Sequence, residues 1–494
     1  MSGAVSFSTI PANARVPLFH IEFDNTRAGI GQANPRTLLV GESLNTQPFV
    51  PVFVPSLAWA RNAFGRHSML ADMVDAALAN DPLGELWAMP VEMTGGTAAA
   101  GQIAVSGTST EAGQLSLYIA GTRVAVDVAS GTAAAAVATA IAAAGTAAES
   151  DRTMPMDVGA AAGSNVPVTA RHAGVLGNQL DLRINHAGPA GGEATPAGLT
   201  ITLTQPTGGA GQPDLSTLVA ALNDEEWDAI VVPYTDATSL SAIQTLMSDT
   251  AGRWSDASQA YGHVWSAKAD TAANLVSFGG ARNNQHQTVF GLYASPSPVW
   301  RQAAAYAAAA HQALKADPSR PVQALAVNGI LAPLEQSRFS RANRQSLLTS
   351  GVATVVGLRD GTVQIERAVT TYQTNKYGQP DQSYLDAHRM YQLMAITRSL
   401  KTFVTQTYPR HTLADDGTRA GPGTAVVTPR LIKGALVTHY EALERAGLVD
   451  DATAFAAGLS VLRHPTDRTR VDVLYTPILT SGLSVFAVLN QFRT

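Results

Sequence analysis

Strand and helix signals alternate strictly between Ala229 and Lys315, and that order leaves the chain few folds to choose from. Ala229 to Val232 is a short apolar run of strand type. Asp236 can cap a helix whose Leu240, Ile243 and Met247 recur at helical spacing. Tyr261 to Ala267 reads as the next strand, Asp270 to Ser277 as a helix, and Thr288 to Tyr293 as a third strand. Ser297-Pro298 then opens an Ala-rich helix reaching about Lys315, with serine as cap and proline in the first turn. Strands joined by helical crossovers run parallel and are covered by helices, so the expected class is α/β. Two earlier buried strands, Arg36 to Gly41 and Leu86 to Val91, are separated by helical segments from Ser56 to Phe64 and Ser68 to Ala79. They are expected to join the same sheet.

What lies between Val91 and Ala229 has a different texture. From Thr94 to about Asp214 the chain is rich in Gly, Ala and Thr and poor in aromatics. Leu115 to Val128 alternates as a hairpin should, with its break expected at Gly121-Thr122. Leu180 to Ile184 and Leu199 to Leu203 supply further strands. The segment is therefore expected to be a β-rich insertion in the α/β core. Its borders, Thr94-Gly-Gly and Thr207-Gly-Gly-Ala-Gly, read as linkers.

The last third changes again. Ala353 to Val356 and Thr362 to Arg367 form a hairpin across Arg359-Asp-Gly361. A long helix follows from about Gln382 to Tyr408, with Met390, Leu393, Ile396, Leu400, Phe403 and Val404 as its apolar stripe. Thr428-Pro429 caps a second amphipathic helix carrying Ile432, Leu436, Tyr440 and Leu443. Both ends of the sequence look like strands. Phe19, Ile21 and Phe23 alternate with polar residues between Pro17 and Asp24, and an apolar strand is expected from Leu483 to Leu489. Strands at chain ends need partners.

Composition excludes several functions. Hydrophobic residues make up 46% of the 494 and charged residues only 14%, which suits surfaces that neighbours cover. The balance of 33 basic against 38 acidic residues lacks the basic excess of a nucleic-acid binder, so no direct nucleic-acid partner is expected. There is no cysteine, which removes disulfides, thiolate metal sites and a cysteine nucleophile. MSGAVSFSTIP lacks the features of a signal peptide, and the Ala-rich run Thr132 to Ala148 is too short for a membrane span. A protein made and kept in the cytoplasm, without a membrane partner, is the expectation.

The search for chemistry finds no constellation. The 11 histidines are scattered, with no HExxH or similar ligand spacing, so no metal is expected. No Gly-Lys pair exists for a phosphate loop, and Gly29-Ile-Gly31 precedes a strand where a dinucleotide fingerprint follows one, so no cofactor is expected. A serine hydrolase on the α/β core is the enzymatic alternative. Its best members are Ser109, His172 and Asp236, but Ser109 lies in the Gly-rich insertion rather than at a helix start. No catalytic residue is assigned. Arg338, Arg341 and Arg344 share a helical face, and Arg463, Arg468 and Arg470 form a second basic group. Both are solvated faces or contacts to an acidic neighbour.

Several segments together resemble the tail sheath proteins of contractile bacteriophages, the Mu-like sheath proteins in particular. They are Ile10-Pro-Ala-Asn-Ala-Arg-Val-Pro17, Arg36-Thr-Leu-Leu-Val-Gly41, Ala120-Gly-Thr-Arg123 and Ala173-Gly-Val-Leu-Gly-Asn178, then Trp227-Asp-Ala-Ile-Val-Val-Pro-Tyr234 and Glu366-Arg-Ala-Val-Thr-Thr-Tyr372. The resemblance spans nearly the whole chain. It implies a subtilisin-like α/β core without protease activity, interrupted by the β-rich insertion, and an α+β C-terminal domain with extended strand arms. The implied organisation is an N-terminal arm (1–24), core (25–93), insertion (94–214), core (215–370), C-terminal sheath domain (371–475) and C-terminal strand and arm (476–494).

It also implies six-subunit rings stacked helically around a tail tube protein, with baseplate and tail terminator proteins as further partners, in the tail of a virion assembled in the host cytoplasm. Arms of sheath subunits add strands to sheets of neighbouring subunits. Phe19, Ile21, Phe23, Leu483, Val485, Phe486, Val488 and Leu489 are the interface residues this implies. The sheath of a phage-derived bacteriocin or injection machine is the nearest alternative.

Overall fold

A computed structural model describes residues 35–493 apart from 92, 94, 223, 224, 420 and 422. The segment holding Ile10–Pro17, Phe19, Ile21, Phe23 and Gly29–Gly31 lies outside the described residues. From Arg36 onward the chain forms one unit.

The first part of the core runs β1 (Arg36–Glu42), β2 (Val52–Phe53), α1 (Leu57–Phe64), α2 (Met69–Leu78) and β3 (Glu85–Val91). Ser56 and Ser68 cap the two helices, accepting from the amides of Trp59 and Ala71. Then comes the insertion: β4 (Ala98–Gly107), β5 (Gly113–Ile119), β6 (Thr122–Val128), α3 (Ala134–Asp151), β7 (Met156–Val158), β8 (Asn165–Ala173), β9 (Leu182–Ile184) and β10 (Leu199–Thr207). The core resumes with α4 (Ser216–Ala221), β11 (Ala229–Val231), α5 (Ala237–Leu246), β12 (His263–Ala269), α6 (Ala272–Gly280), β13 (Gln287–Leu292) and α7 (Val299–Ala316).

Six strands form the core sheet in the order β13-β12-β11-β1-β3-β2. The first five run parallel, and β2 closes one edge antiparallel. At its centre, Leu38, Leu39 and Val40 are fully buried, the continuous apolar run that a strand covered on both faces requires. From β1 the chain crosses to β3 on one side. From β11 it crosses to β12 on the other. With right-handed crossovers these connections lie on opposite faces, so the crevice of this sheet opens between the C-terminal ends of β1 and β11. At α7 the expected serine cap gives way to another contact. Pro298 occupies the cap position, and Ser297 Oγ instead accepts from the Leu331 amide at 2.9 Å.

The insertion is less purely β than expected. It holds two antiparallel sheets, β10-β4-β8-β7 and β6-β5-β9, but its Ala-rich run forms an 18-residue helix, α3. Alanine favours helix, and Val137, Ala138 and Ile141 give this one a buried stripe. The β5–β6 turn falls one residue earlier than expected. Ile119 pairs with Thr122, and Ala120 and Gly121 both take positive φ (48° and 81°), as a two-residue type I′ turn demands.

The glycine-rich borders are not linkers. Thr97 and Ala210 exchange both backbone hydrogen bonds (3.0 and 3.1 Å). A Cβ on Gly96 would sit 2.5 Å from Ala210 O, and one on Gly209 would sit 2.5 Å from Gly174 O. Glycine is there to let two backbones touch. Insertion and core share one hydrophobic cluster.

The remainder comprises β14 (Leu325–Val327), α8 (Arg341–Thr349), β15 (Thr354–Gly357), β16 (Val363–Arg367), α9 (Ala387–Thr407), β17 (Thr412–Leu413), β18 (Val426–Val427), α10 (Pro429–Arg445), α11 (Ala452–Gly458), β19 (Ser460–Arg463) and β20 (Val471–Leu474). A second hydrophobic cluster forms here from Ile396, Leu436, Tyr440, Leu443, Val449, Phe455, Leu459 and Val461. The helix α9 belongs to both clusters. Its Ala387, Tyr391 and Met394 lie in the main core and its Ile396 in the second. Val404, expected in the buried stripe, is 42% exposed, while its neighbour Phe403 still packs against the second cluster.

Candidate assembly surface

Among the described residues, β19 and β20 pair only with each other. Both outer edges of this ribbon therefore keep free backbone groups, a template for a further strand. Register sorts its two faces. Val461 pairs with Val473, and Val461 faces the second core. Ser460 pairs with Leu474 and Leu462 with Asp472, so Leu462 (64% exposed) and Leu474 (60% exposed) project from the opposite face.

The chain leaving β20 is fastened for a few residues and then released. Ile478 accepts from the Asp450 amide (2.8 Å) and donates its own amide to Tyr440 Oη (3.0 Å). Thr480 Oγ1 donates to Gly447 O (2.7 Å) and accepts from Gln392 Nε2 (2.9 Å). Gln323 Nε2 reaches Leu483 O at 3.0 Å. Past that point the structure gives no strand, although Leu483 to Leu489 was expected to form one. A strand needs a ladder, and among the described residues none is formed beside this segment. Leu483, Val485, Phe486, Val488, Leu489 and Phe492 are between 68% and 83% exposed. Together they form a run of exposed apolar side chains at the end of the described chain.

The hydrolase candidates are dispersed into structural roles. Asp236 caps α5, its Oδ1 accepting from the Ser239 amide at 2.9 Å. Ser109 is buried in the insertion, where its Oγ donates to Glu111 O and its amide to Thr132 O. His172 does reach the sheet crevice, but as a fastener. Its Nε2 accepts from the Met69 amide at the start of α2 (2.9 Å), which leaves Nδ1 to donate toward Glu42 Oε2 at 3.3 Å. Glu42 ends β1, and its Oε1 accepts from Tyr234 Oη, just beyond β11, at 3.1 Å. Burial, reinforced by that carboxylate, pushes the Tyr234 hydroxyl well above its ordinary pKa. The place where such sheets bind ligands is thus filled by the insertion.

Sequence reasoning missed Glu42 and Tyr234 because neither lies in a recognisable spacing. It also missed a Ser–His contact, Ser399 Oγ to His439 Nε2 at 3.0 Å. Ser399 sits inside α9, where backbone amides are committed to the helix, so no oxyanion hole exists. His439 stacks on Phe403 at 4.6 Å, and its buried Nδ1 has no third member to orient it. Among the described residues no group of His, Asp and Glu could hold a metal. Among the described residues no helix is long and apolar enough to cross a membrane.

The arginine groups are largely committed. Arg338 lies ahead of α8 and bonds Pro333 O and Gly357 O (both 3.0 Å), while Arg344 pairs with Glu366 at 2.8 Å. Arg463 pairs with Asp415 (2.8 Å) and Arg470 with Asp472 (2.7 Å).

Two family models match the sequence: the phage tail sheath protein central domain over residues 208–371, and the phage tail sheath C-terminal domain over residues 379–493. The Mu-like prophage FluMu tail sheath protein of Haemophilus influenzae is 37% identical over 495 aligned positions, covering 99% of each chain. Among solved structures, the sheath tail protein of Desulfitobacterium hafniense aligns over 94% of this chain and 100% of its own, at 12% identity and a TM-score of 0.45. The helical sheath of the anti-feeding prophage in its contracted state aligns over 97% and 100%, at 10% identity and a TM-score of 0.48.

Proposed function

Since this chain belongs to the phage tail sheath family, whose members are structural proteins and not enzymes, we propose that it polymerises into a contractile sleeve around a tail tube. In this proposal six-subunit rings stack helically from a baseplate to a tail terminator. Contraction of the sleeve then drives the tube through the host envelope for genome ejection. The subunit works in the tail of a virion assembled in the host cytoplasm, and its core is a subtilisin-like scaffold without chemistry.

One observation carries the proposal: an exposed apolar segment, Leu483 to Phe492, beside a two-stranded ribbon with open edges. Segment and ribbon complement each other. A strand added to β19 or β20 gains a ladder of main-chain hydrogen bonds, and its alternate side chains meet Leu462 and Leu474. In this reading the host ribbon belongs to a neighbouring subunit. Such a head-to-tail contact does not close on itself and propagates a helical array. The N-terminal arm, with Phe19, Ile21 and Phe23, supplies the second strand to a neighbouring ribbon.

Negative-stain microscopy of the purified protein tests this. The full chain is expected to form tubes or stacked rings. A chain lacking Gly482 to Thr494 is expected to stay folded and unassembled, and normal tubes from it would remove the arm from the assembly.

A further inference from the structure

The roots of the two arms are fastened to the same helix by neighbouring residues. Arg36 begins β1, the first strand of the core sheet. Its amide donates to Asp228 Oδ2 at 2.8 Å, and its guanidinium pairs with Glu85 and Glu225 (3.0 and 3.1 Å). The same guanidinium lies 5.6 Å from the ring centres of both Trp87 and Trp227. Asp228 is then gripped from the other side by α9. Arg398 pairs with its carboxylate and with Glu226 (2.6 Å to the latter), and Tyr391 Oη donates to Asp228 O at 3.1 Å. Trp265 Nε1 donates in turn to Tyr391 Oη at 3.1 Å, so the tyrosine is held within the sheet.

The residue next to Tyr391 faces the opposite arm. Gln392 is fully buried, and its Nε2 donates to Thr480 Oγ1 (2.9 Å) and to Leu448 O, three residues before the free C-terminal segment begins. Thus Tyr391 and Arg398 hold the N-terminal root and Gln392 holds the C-terminal root. A rigid helix of 21 residues connects them.

We infer that α9 is a tie-rod: tension on one arm passes through Asp228, α9 and Thr480 to the other without loading the insertion or the hairpins around it. This rests on the proposal that the arms link subunits, and it adds the path by which force crosses each one. Charge-assisted bonds at one end and a buried amide at the other suit that task, because each breaks only when a desolvated polar group is left unpaired. Shear along a helix axis strains several such bonds together.

The chain has no cysteine, so paired cysteines can take handles for optical tweezers in the full-length protein. Pro35→Cys with Ser484→Cys pulls along the two roots. Ser130→Cys with Ala162→Cys pulls across exposed loops of the insertion. Arg398→Met and Gln392→Leu are each expected to raise the force-free rupture rate about tenfold along the root axis and to leave the loop axis unchanged. Equal weakening of both axes would show mere loss of stability and overturn the tie-rod, as would no change along the root axis. Tube formation is scored separately. Normal tubes from the chain lacking the C-terminal segment would sink the arm linkage, whereas the two-axis comparison bears on the force path alone.

Discussion

Phe486→Ala is the most direct probe of the exposed segment. Phe486 is 81% exposed in the single chain, so truncating it removes almost no internal contact and the stability of the monomer is expected to shift by less than about 0.5 kcal/mol. In an assembled sleeve the same ring would be buried on a neighbour. Full burial of a phenylalanine is worth about 1.5–3 kcal/mol, so each link loses about 2 kcal/mol. At 1.4 kcal/mol per decade, this raises the critical concentration for assembly about 30-fold. Leu489→Ala, at 83% exposure and on the other face of an extended strand, is expected to act in the same range. Ser484→Ala serves as the control that leaves assembly unchanged. The assay is pelleting of tubes across a dilution series, with thermal unfolding of the unassembled protein in parallel. An unchanged critical concentration for both apolar variants would refute the reasoning. So would a large fall in monomer stability, since that would place the segment inside the fold.

Three further outcomes follow from the interior. Glu42→Ala strips the acceptor from Tyr234 and His172 in a buried site, so a loss of about 3 kcal/mol is expected, with amide exchange rising first in β8. His263, wholly buried, has its pKa lowered to about 3 by desolvation, with a smaller push from His286. A depressed histidine favours the fold above the unfolded pKa near 6.5, and that advantage is lost as pH falls toward 3. The cost from this residue at pH 5 is about 2 kcal/mol, and His263→Gln should shrink the measured drop between pH 7.5 and 5 by that amount. Gly107→Ala sets a Cβ 2.1 Å from Gly198 O at a φ of +87°, so unfolding in denaturant should show a loss of more than about 1 kcal/mol.

The α/β core was legible because each of its elements carries its own signal. Asp236 caps the helix it was expected to cap, the helices expected to start at Ser56 and Ser68 do start there, and the strand around Leu38 to Val40 could only be buried. The long helix α9 and the Thr428 cap of α10 were legible for the same reason. What could not be read is set by contacts distant in sequence. Gly96 and Gly209 have the composition of a linker, and only the approach of Ala210 and Gly174 makes them joints. Ser297 resembles a cap until Leu331, 34 residues on, claims its hydroxyl. Tyr234 and His172 stand 192 and 130 residues from Glu42, in pairs that no spacing rule covers. The C-terminal segment was read as a strand from its alternation, which is sound chemistry for the segment and silent on whether one chain can satisfy it.

The filled crevice bears on why a parallel sheet can serve as a structural unit. A doubly wound sheet leaves a cleft at the C-terminal ends of its central strands, and enzymes of this class place their chemistry there. Here the cleft receives His172 from the insertion, and the groups that could have served a substrate are satisfied by one another. Filling it also joins insertion to core. His67 Nδ1 accepts from the Met154 amide (3.2 Å), and His186 Nε2 bonds Ala332 O (3.1 Å), so two more contacts cross the same boundary. A subunit braced in this way deforms little within itself. In the proposed sleeve, rearrangement between subunits would then be taken up where the chain is unbraced, and among the described residues the longest exposed apolar stretch begins just past Leu483, the last residue fastened by Gln323.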